Sequence, residues 1–223
     1  MSEKKKLSTT YKLLRTLGFN YSEEEYGQVS ILQVIGRFFG NIRRKSLQSM
    51  MDWAILEPFM PRKMRPWLLR RIGCHIGKNV FIGDFVRVDL QHAHMIYIDD
   101  YAHVTSDCRL LCHQRDLTDY HVGDNAALCG YKTGEIHIGK GCMIGMRSMI
   151  MPGVTIGDGA IVGANSLVTK NIPSYTIATG MPARVVKEIS KRIVSKDDTP
   201  LGGGKFLVQN LGCALITERR AVA

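Results

Sequence analysis

Between Ile138 and Val168 the apolar positions recur every six residues: Ile138, Ile144, Ile150, Ile156, Val162 and Val168. Four places after each comes Cys142, Ser148, Val154, Ala160, Ser166 or Ile172, mostly small side chains. An α-helix would repeat near 3.6 residues and a strand at two. A six-residue period predicts a parallel β-helix, in which each hexapeptide forms one side of a coil and about 18 residues climb one rung. The aliphatic residues point to the coil axis and stack from rung to rung. The small residues fill the inner corners where two walls converge. The glycine that often follows the aliphatic residue is expected to permit a backbone conformation that a Cβ would penalise. No rung buries its own face, so stability comes from stacking neighbours.

The same period starts at Ile76-Gly77, passes Ile82-Gly83 and Val88, and resumes at Ile98, Val104 and Leu110. It breaks twice, at Leu90–Met95 and from Cys112 to about Gly134. Solenoids accept insertions at their corners, and such loops often carry the binding surface. The second break is polar and holds His113, Asp116, Asp119, His121 and Asp124, which makes it the first place to look for chemistry.

Before the coil the pattern is helical. A short helix is predicted over Thr10–Leu17. A longer one, over about Gln28–Leu56, carries Ile31, Val34, Ile35, Phe38, Phe39 and Ile42 at helical spacing, and Pro58 and Pro61 end it. A third runs from Arg65 to Ile72 and closes on Gly73. After Pro173, helical spacing is expected over Val185–Val194, followed by a tail with Gly202-Gly203-Gly204 and no clear period. The expected organisation is a helical N-terminal extension or cap over residues 1–72, the β-helix domain over 73–187, and a C-terminal helix and tail over 188–223.

Charge sharpens this division. Of the net +10, residues 1–75 contribute +8, from 14 Lys+Arg against 6 Asp+Glu. The basic amphipathic segment fits a cap over the open end of the solenoid, where the apolar column would otherwise be exposed. Peripheral contact with a membrane surface is the alternative. No nucleic-acid motif accompanies the basic residues. With 45% hydrophobic residues, no long apolar run and no apolar core in Met-Ser-Glu-Lys-Lys-Lys, the chain reads as cytoplasmic. The six cysteines form no CxxC pair, and Cys108 and Cys142 fall in the small inward slot, so buried reduced thiols are expected and no metal site.

Two blocks narrow the reading. Val162-Gly-Ala-Asn-Ser-Leu-Val-Thr-Lys-Asn-Ile-Pro173 and Ala178-Thr-Gly-Met-Pro-Ala-Arg-Val-Val-Lys187 resemble the closing part of the hexapeptide-repeat O-acetyltransferases, the group containing the maltose and galactoside acetyltransferases. The resemblance covers roughly residues 70–190. It implies a left-handed parallel β-helix, a homotrimer with active sites between subunits, and acetyl-CoA as acyl donor. It also implies that His113, at the start of the projecting loop, is the general base. Chemistry asks for such a group, because a sugar hydroxyl is a poor nucleophile at neutral pH and imidazole can take its proton. The resemblance points to the backbone N–H of Met146 as oxyanion donor. Asp116 is the nearest carboxylate in the sequence to orient the imidazole. Coenzyme A would meet Ala164 and Thr169 through backbone groups and Lys170 and Arg184 through its phosphates. Met143 stands where many relatives have Trp, which alters the pantetheine channel.

Other readings compete with acetyl transfer to a sugar or polysaccharide-precursor hydroxyl. A γ-type carbonic anhydrase shares the fold but needs three histidines converging on zinc, whereas His113 and His121 stand eight apart. A non-catalytic scaffold has no use for the polar loop or for Lys170 and Arg184. His121 is a candidate substrate contact. His75, His92, His94, His103 and His137 read as structural or solvent-facing.

Overall fold

In a computed structural model, which describes residues 7–18, 27–53 and 60–190, the aliphatic positions stack in three columns. Ile76, Ile98, Ile138 and Ile156 pair in register along the first face. Ile82, Val104, Ile144, Val162 and Ala178 form the second, and Val88, Leu110, Ile150 and Val168 the third. Every pairing within these columns is parallel, and nearly every member is fully buried. The chain is therefore a parallel β-helix whose strands are mostly two residues long. Both breaks leave the coil between complete faces. Ile98 pairs directly with Ile138 across the longer one, so the insertion costs no register.

The inner corners hold the expected small residues: Cys108, Cys142, Ser148, Ala160 and Ser166 are buried. The two serines tie successive turns together. Ser148 Oγ donates to the Gly163 carbonyl at 3.0 Å and accepts from Ser166 N at 3.3 Å, and Ser166 Oγ accepts from Gly180 N at 3.1 Å. Burial pushes the Cys142 thiol up to about 11. Cys74, Cys108, Cys112 and Cys142 are buried free thiols, and of these Cys108 and Cys142 occupy the inward slot of the repeat.

The glycines need a different explanation from the one their position suggests. On the first and second faces left-handed φ falls on the third residue after the aliphatic, as at Asn79, Asp107, Arg147 and Asn165, and not on the glycine immediately following. That glycine is required because the next rung passes against it. A Cβ on Gly145 would lie 2.4 Å from Ala164 N, and one on Gly83 would lie 2.5 Å from Ser106 N.

Among the described residues three α-helices precede the coil: α1 (Thr9–Thr16), α2 (Ile31–Met50) and α3 (Arg65–Ile72). Ser30 and Gln33 form a capping box at the start of α2. Gly73, with φ of 129°, ends α3. Leu68, Leu69 and Ile72 of α3 join the coil's core, and Leu47, Met50 and Met51 at the end of α2 pack beside them. Buried Arg65 fastens this junction. Its Nε donates to the Met51 carbonyl at 3.0 Å, and its Nη1 lies 2.8 Å from Asp84 Oδ1.

The far end closes differently from expectation. Thr176–Gly180 extends the second face, and Ala183–Glu188 folds back on it as an antiparallel strand. Helical spacing over Val185–Val194 is thus overruled as far as Glu188, and residues 191–223 lie outside the described residues. The open edge of Thr176–Gly180 offers unpaired backbone groups, and β-branched Val185 and Val186 suit a strand better than a helix.

Candidate functional site

The first break brings together the groups around His113. Asp89 follows Val88 at the end of the third face, and its Oδ1 accepts from Gln91 N at 3.2 Å and His92 N at 3.3 Å. These bonds turn the chain back over the coil. Val88 pairs with Leu110 one rung on, so the chain leaving Leu110 passes the Asp89 turn as it reaches His113. There His113 Nδ1 is hydrogen-bonded to Asp89 Oδ2, and His92 Nδ1 reaches the same oxygen at 3.2 Å.

The Asp89 side chain is 3% exposed and that of His113 35%. Burial works to raise the Asp89 carboxyl. The hydrogen bond from His113 and the charges of His113 and His92 outweigh it and hold the group below the usual carboxylate range. An ionised carboxylate only accepts, so in the neutral imidazole it is Nδ1–H that donates to Asp89 and Nε2 that carries the lone pair. His113–Arg115 pairs with Tyr131–Thr133 in an antiparallel hairpin, and Tyr131 stands edge-on to His113 with ring centroids 5.4 Å apart. Arg115 also packs on Tyr131, its guanidinium 4.2 Å from the ring centre.

Asp116, expected beside His113, makes its side-chain hydrogen bonds within its own loop. Its Oδ1 accepts from Thr118 Oγ1 at 2.6 Å and Thr118 N at 3.1 Å, turning the exposed loop away. Those bonds lower its carboxyl below the usual range, within the loop itself. Asp89, not Asp116, is the carboxylate in hydrogen-bond contact with His113, and His92 reaches the same oxygen. The signal for both was the register: Val88 and Leu110 share a column, so the two breaks leave the coil at the same corner. His75 and His137 do serve the wall, sandwiching Tyr97 at 4.5 and 4.6 Å between ring centroids. His121 contacts its own loop, with Nδ1 3.0 Å from the Asp119 carbonyl.

Met146 lies at a different corner, between the second and third faces. At the equivalent position of other turns the backbone N–H is held by a side chain one rung on: Lys78 by Asp100, Asp84 by Ser106, Lys140 by Asp158. The residue one rung on from Met146 is Ala164, which has no acceptor to offer. The Met146 amide is thereby left available at an exposed corner. Thr169 and Lys170 are exposed beyond the third face, on the His113 side. Arg184 sits on the closing strand opposite Thr179. One chain therefore does not gather its candidate residues in one place. Ala164 and Met146 share one corner, while Asp89, His92, His113 and Lys170 lie along another.

Asp89, His92 and His113 also offer three ligand atoms within 4.8 Å of one another. Zinc ligands at about 2.0–2.1 Å hold neighbouring donors roughly 3.3 Å apart. His113 and Asp89 are in direct hydrogen-bond contact instead, so the cluster is arranged as a hydrogen-bonded pair rather than a cage. The three histidines of a carbonic anhydrase site are not assembled among the described residues.

The family model described as bacterial transferase hexapeptide (six repeats) matches residues 135–170. A Staphylococcus aureus (strain Mu50) protein described as an acetyltransferase is 46% identical over 68 residues, which are 30% of this chain and 34% of that protein. The match thus spans about a third of that relative's length. Galactoside O-acetyltransferase of Escherichia coli K12 is 33% identical over 145 residues, covering 62% of this chain and 68% of that protein. Among solved structures, a maltose O-acetyltransferase from Clostridium difficile 630 superposes with a TM-score of 0.54 at 23% identity, over 73% of this chain and 90% of that one. The fold is the left-handed β-helix of these proteins. With its stacked hexapeptides and its extended match to the galactoside enzyme, the chain belongs to the hexapeptide-repeat acetyltransferase family.

Proposed function

We propose that the protein is an acetyl-CoA-dependent O-acetyltransferase acting on a hydroxyl of a sugar or polysaccharide precursor. The observation that carries this is the His113–Asp89 pair, an imidazole held by a buried carboxylate with Nε2 left to accept a proton. The acceptor oxygen attacks the thioester carbonyl carbon while His113 Nε2 takes its proton. Negative charge on the carbonyl oxygen is met by the Met146 N–H. The C–S bond then breaks, and the proton held by His113 passes to the departing thiolate. No acyl-enzyme is needed.

The division of residues between two corners supports a homotrimer, in which His113 of one subunit faces Met146 and Ala164 of the next. Ala164 and Thr169 would hold coenzyme A through backbone groups, with Lys170 and Arg184 at its phosphates. The exposed corners of Ala164 and Lys170 leave room for such a ligand. The buried free thiols suit a reducing compartment, and on that ground we place the protein in the cytoplasm.

The test is release of free thiol from acetyl-CoA across saccharide, amino-acid and small-alcohol acceptors. Release is expected with saccharide hydroxyls and is expected to vanish in His113→Ala while the subunit mass by light scattering is kept. Near-normal turnover by that variant sinks the assignment.

A further inference from the structure

Helix α2 meets two different surroundings. Its C-terminal half seats on the coil: Gln48 Nε2 donates to the Val86 carbonyl at 2.8 Å, Arg44 Nη1 donates to the Leu90 carbonyl at 3.2 Å, and Met51 beyond them is fully buried. The other face carries Ile31, Leu32, Ile35, Phe38, Phe39 and Ile42, each between 45% and 77% exposed. At 3.6 residues per turn these six fall within an arc of about 120°. Arg43 borders that arc on one side and Lys45 on the other. The helix holds four basic residues, Arg37, Arg43, Arg44 and Lys45, and no acidic one.

A helix that only capped the coil would turn its largest apolar groups inward. Here the inward face is made of Arg44, Leu47, Gln48 and Met51, while both phenylalanines point outward. An apolar stripe bordered by cations is the pattern of a helix lying in a lipid interface, its stripe among acyl chains and its cations among headgroups. Among the described residues no helix is long and apolar enough to cross a membrane, which leaves the surface mode.

We propose that α2 docks this protein on an anionic lipid bilayer through the Ile31–Ile42 face. Charge selects the occupant: an all-basic helix is complementary to an anionic surface, and a second copy of the same helix would meet it with like charge. The attachment has a consequence for the site. Arg44 and Gln48 grip Leu90 and Val86, which flank Asp89, so docking holds the His113 corner close to the bilayer. Resting on the function proposed above, the acceptor class this favours is the hydroxyl of a lipid-linked saccharide, met at the membrane surface.

Flotation of the full chain with vesicles tests this without any acyl donor, so its failure is separate from failure of the thiol-release assay. Vesicles of phosphatidylcholine with phosphatidylglycerol are expected to carry the protein up the gradient, and vesicles of phosphatidylcholine alone to leave it behind. Phe38→Ser with Phe39→Ser should lower the partition more than about tenfold. Arg43→Gln with Lys45→Gln should lower it about fivefold or more per cation removed. Both variants should keep the circular dichroism spectrum and the subunit mass of the parent. No flotation with the anionic vesicles overturns the proposal, as does flotation indifferent to the phenylalanine pair. A change of subunit mass in the phenylalanine variant overturns it in favour of a contact between copies.

Discussion

Two corners flank the third face of the coil, and they are unlike. At the corner of Met146 and Ala164 the rungs are so close that Gly145 has no space for a Cβ, and the chain turns directly from the second face to the third without an insertion. At the corner of Asp89 and His113 the chain leaves the coil twice, and each departure contributes ionisable groups. Tight stacking makes the first corner intolerant of added atoms. The second accepts insertions because they begin and end between complete faces, with Ile98 still in register on Ile138. A rigid wall and a variable loop are thus placed on one scaffold, a division of labour suited to a site that needs a fixed donor and an adaptable acceptor pocket.

Substitutions that separate rate from stability test this contrast most directly. His113→Ala should lower acetyl transfer by about 10³-fold, within the range of general-base catalysis, and lower the thermal midpoint only modestly, the cost of leaving the buried Asp89 carboxylate without one of its partners. Kinetics and a melting curve on the same preparation check both halves. Asp89→Asn should cost about 10²-fold in kcat by removing the carboxylate that orients the imidazole through its Nδ1–H. Its KM for acetyl-CoA should stay within a factor of two or so.

Asp89 also carries a pH signature. Its folded carboxyl lies below the ordinary 3.8. The folded state therefore binds that proton less readily than the unfolded chain, and Asp89 stabilises the fold above this range and loses its contribution as pH falls through the folded pKa. The gap in melting temperature between the parent and Asp89→Asn is expected to narrow as pH drops from about 6 to about 3.

At the opposite corner the outcome reverses. Gly145→Ala should destabilise by about 1–3 kcal/mol in urea unfolding, because the neighbour in the way is backbone and cannot swing aside. The smallest effect is expected at Asp116→Asn, whose carboxylate serves only its own loop turn. Turnover within about twofold of the parent would agree. A loss comparable to that of Asp89→Asn would return the orienting role to Asp116.

The six-residue period determined most of the coil on its own, since a column of Ile and Val can be buried in only one register and the small corner residues admit only one path between walls. Local signals likewise determined α3, which runs from Arg65 to Ile72 and closes on Gly73. They also singled out His113, through its place at the start of the polar break. Tertiary structure decided its partner. Asp89 stands 24 positions away, and only stacking of Val88 on Leu110 brings it to the imidazole, whereas proximity along the chain favoured Asp116. The Val185–Glu188 segment was decided the same way, by an open strand edge that its own helical spacing could not reveal. So was the outward turn of Phe38 and Phe39, since periodicity shows that a helix has an apolar face but not which surface that face will meet. The period records contacts between residues one rung apart. Pairings made across insertions depend on where the rungs bring the chain back, and no local pattern encodes that.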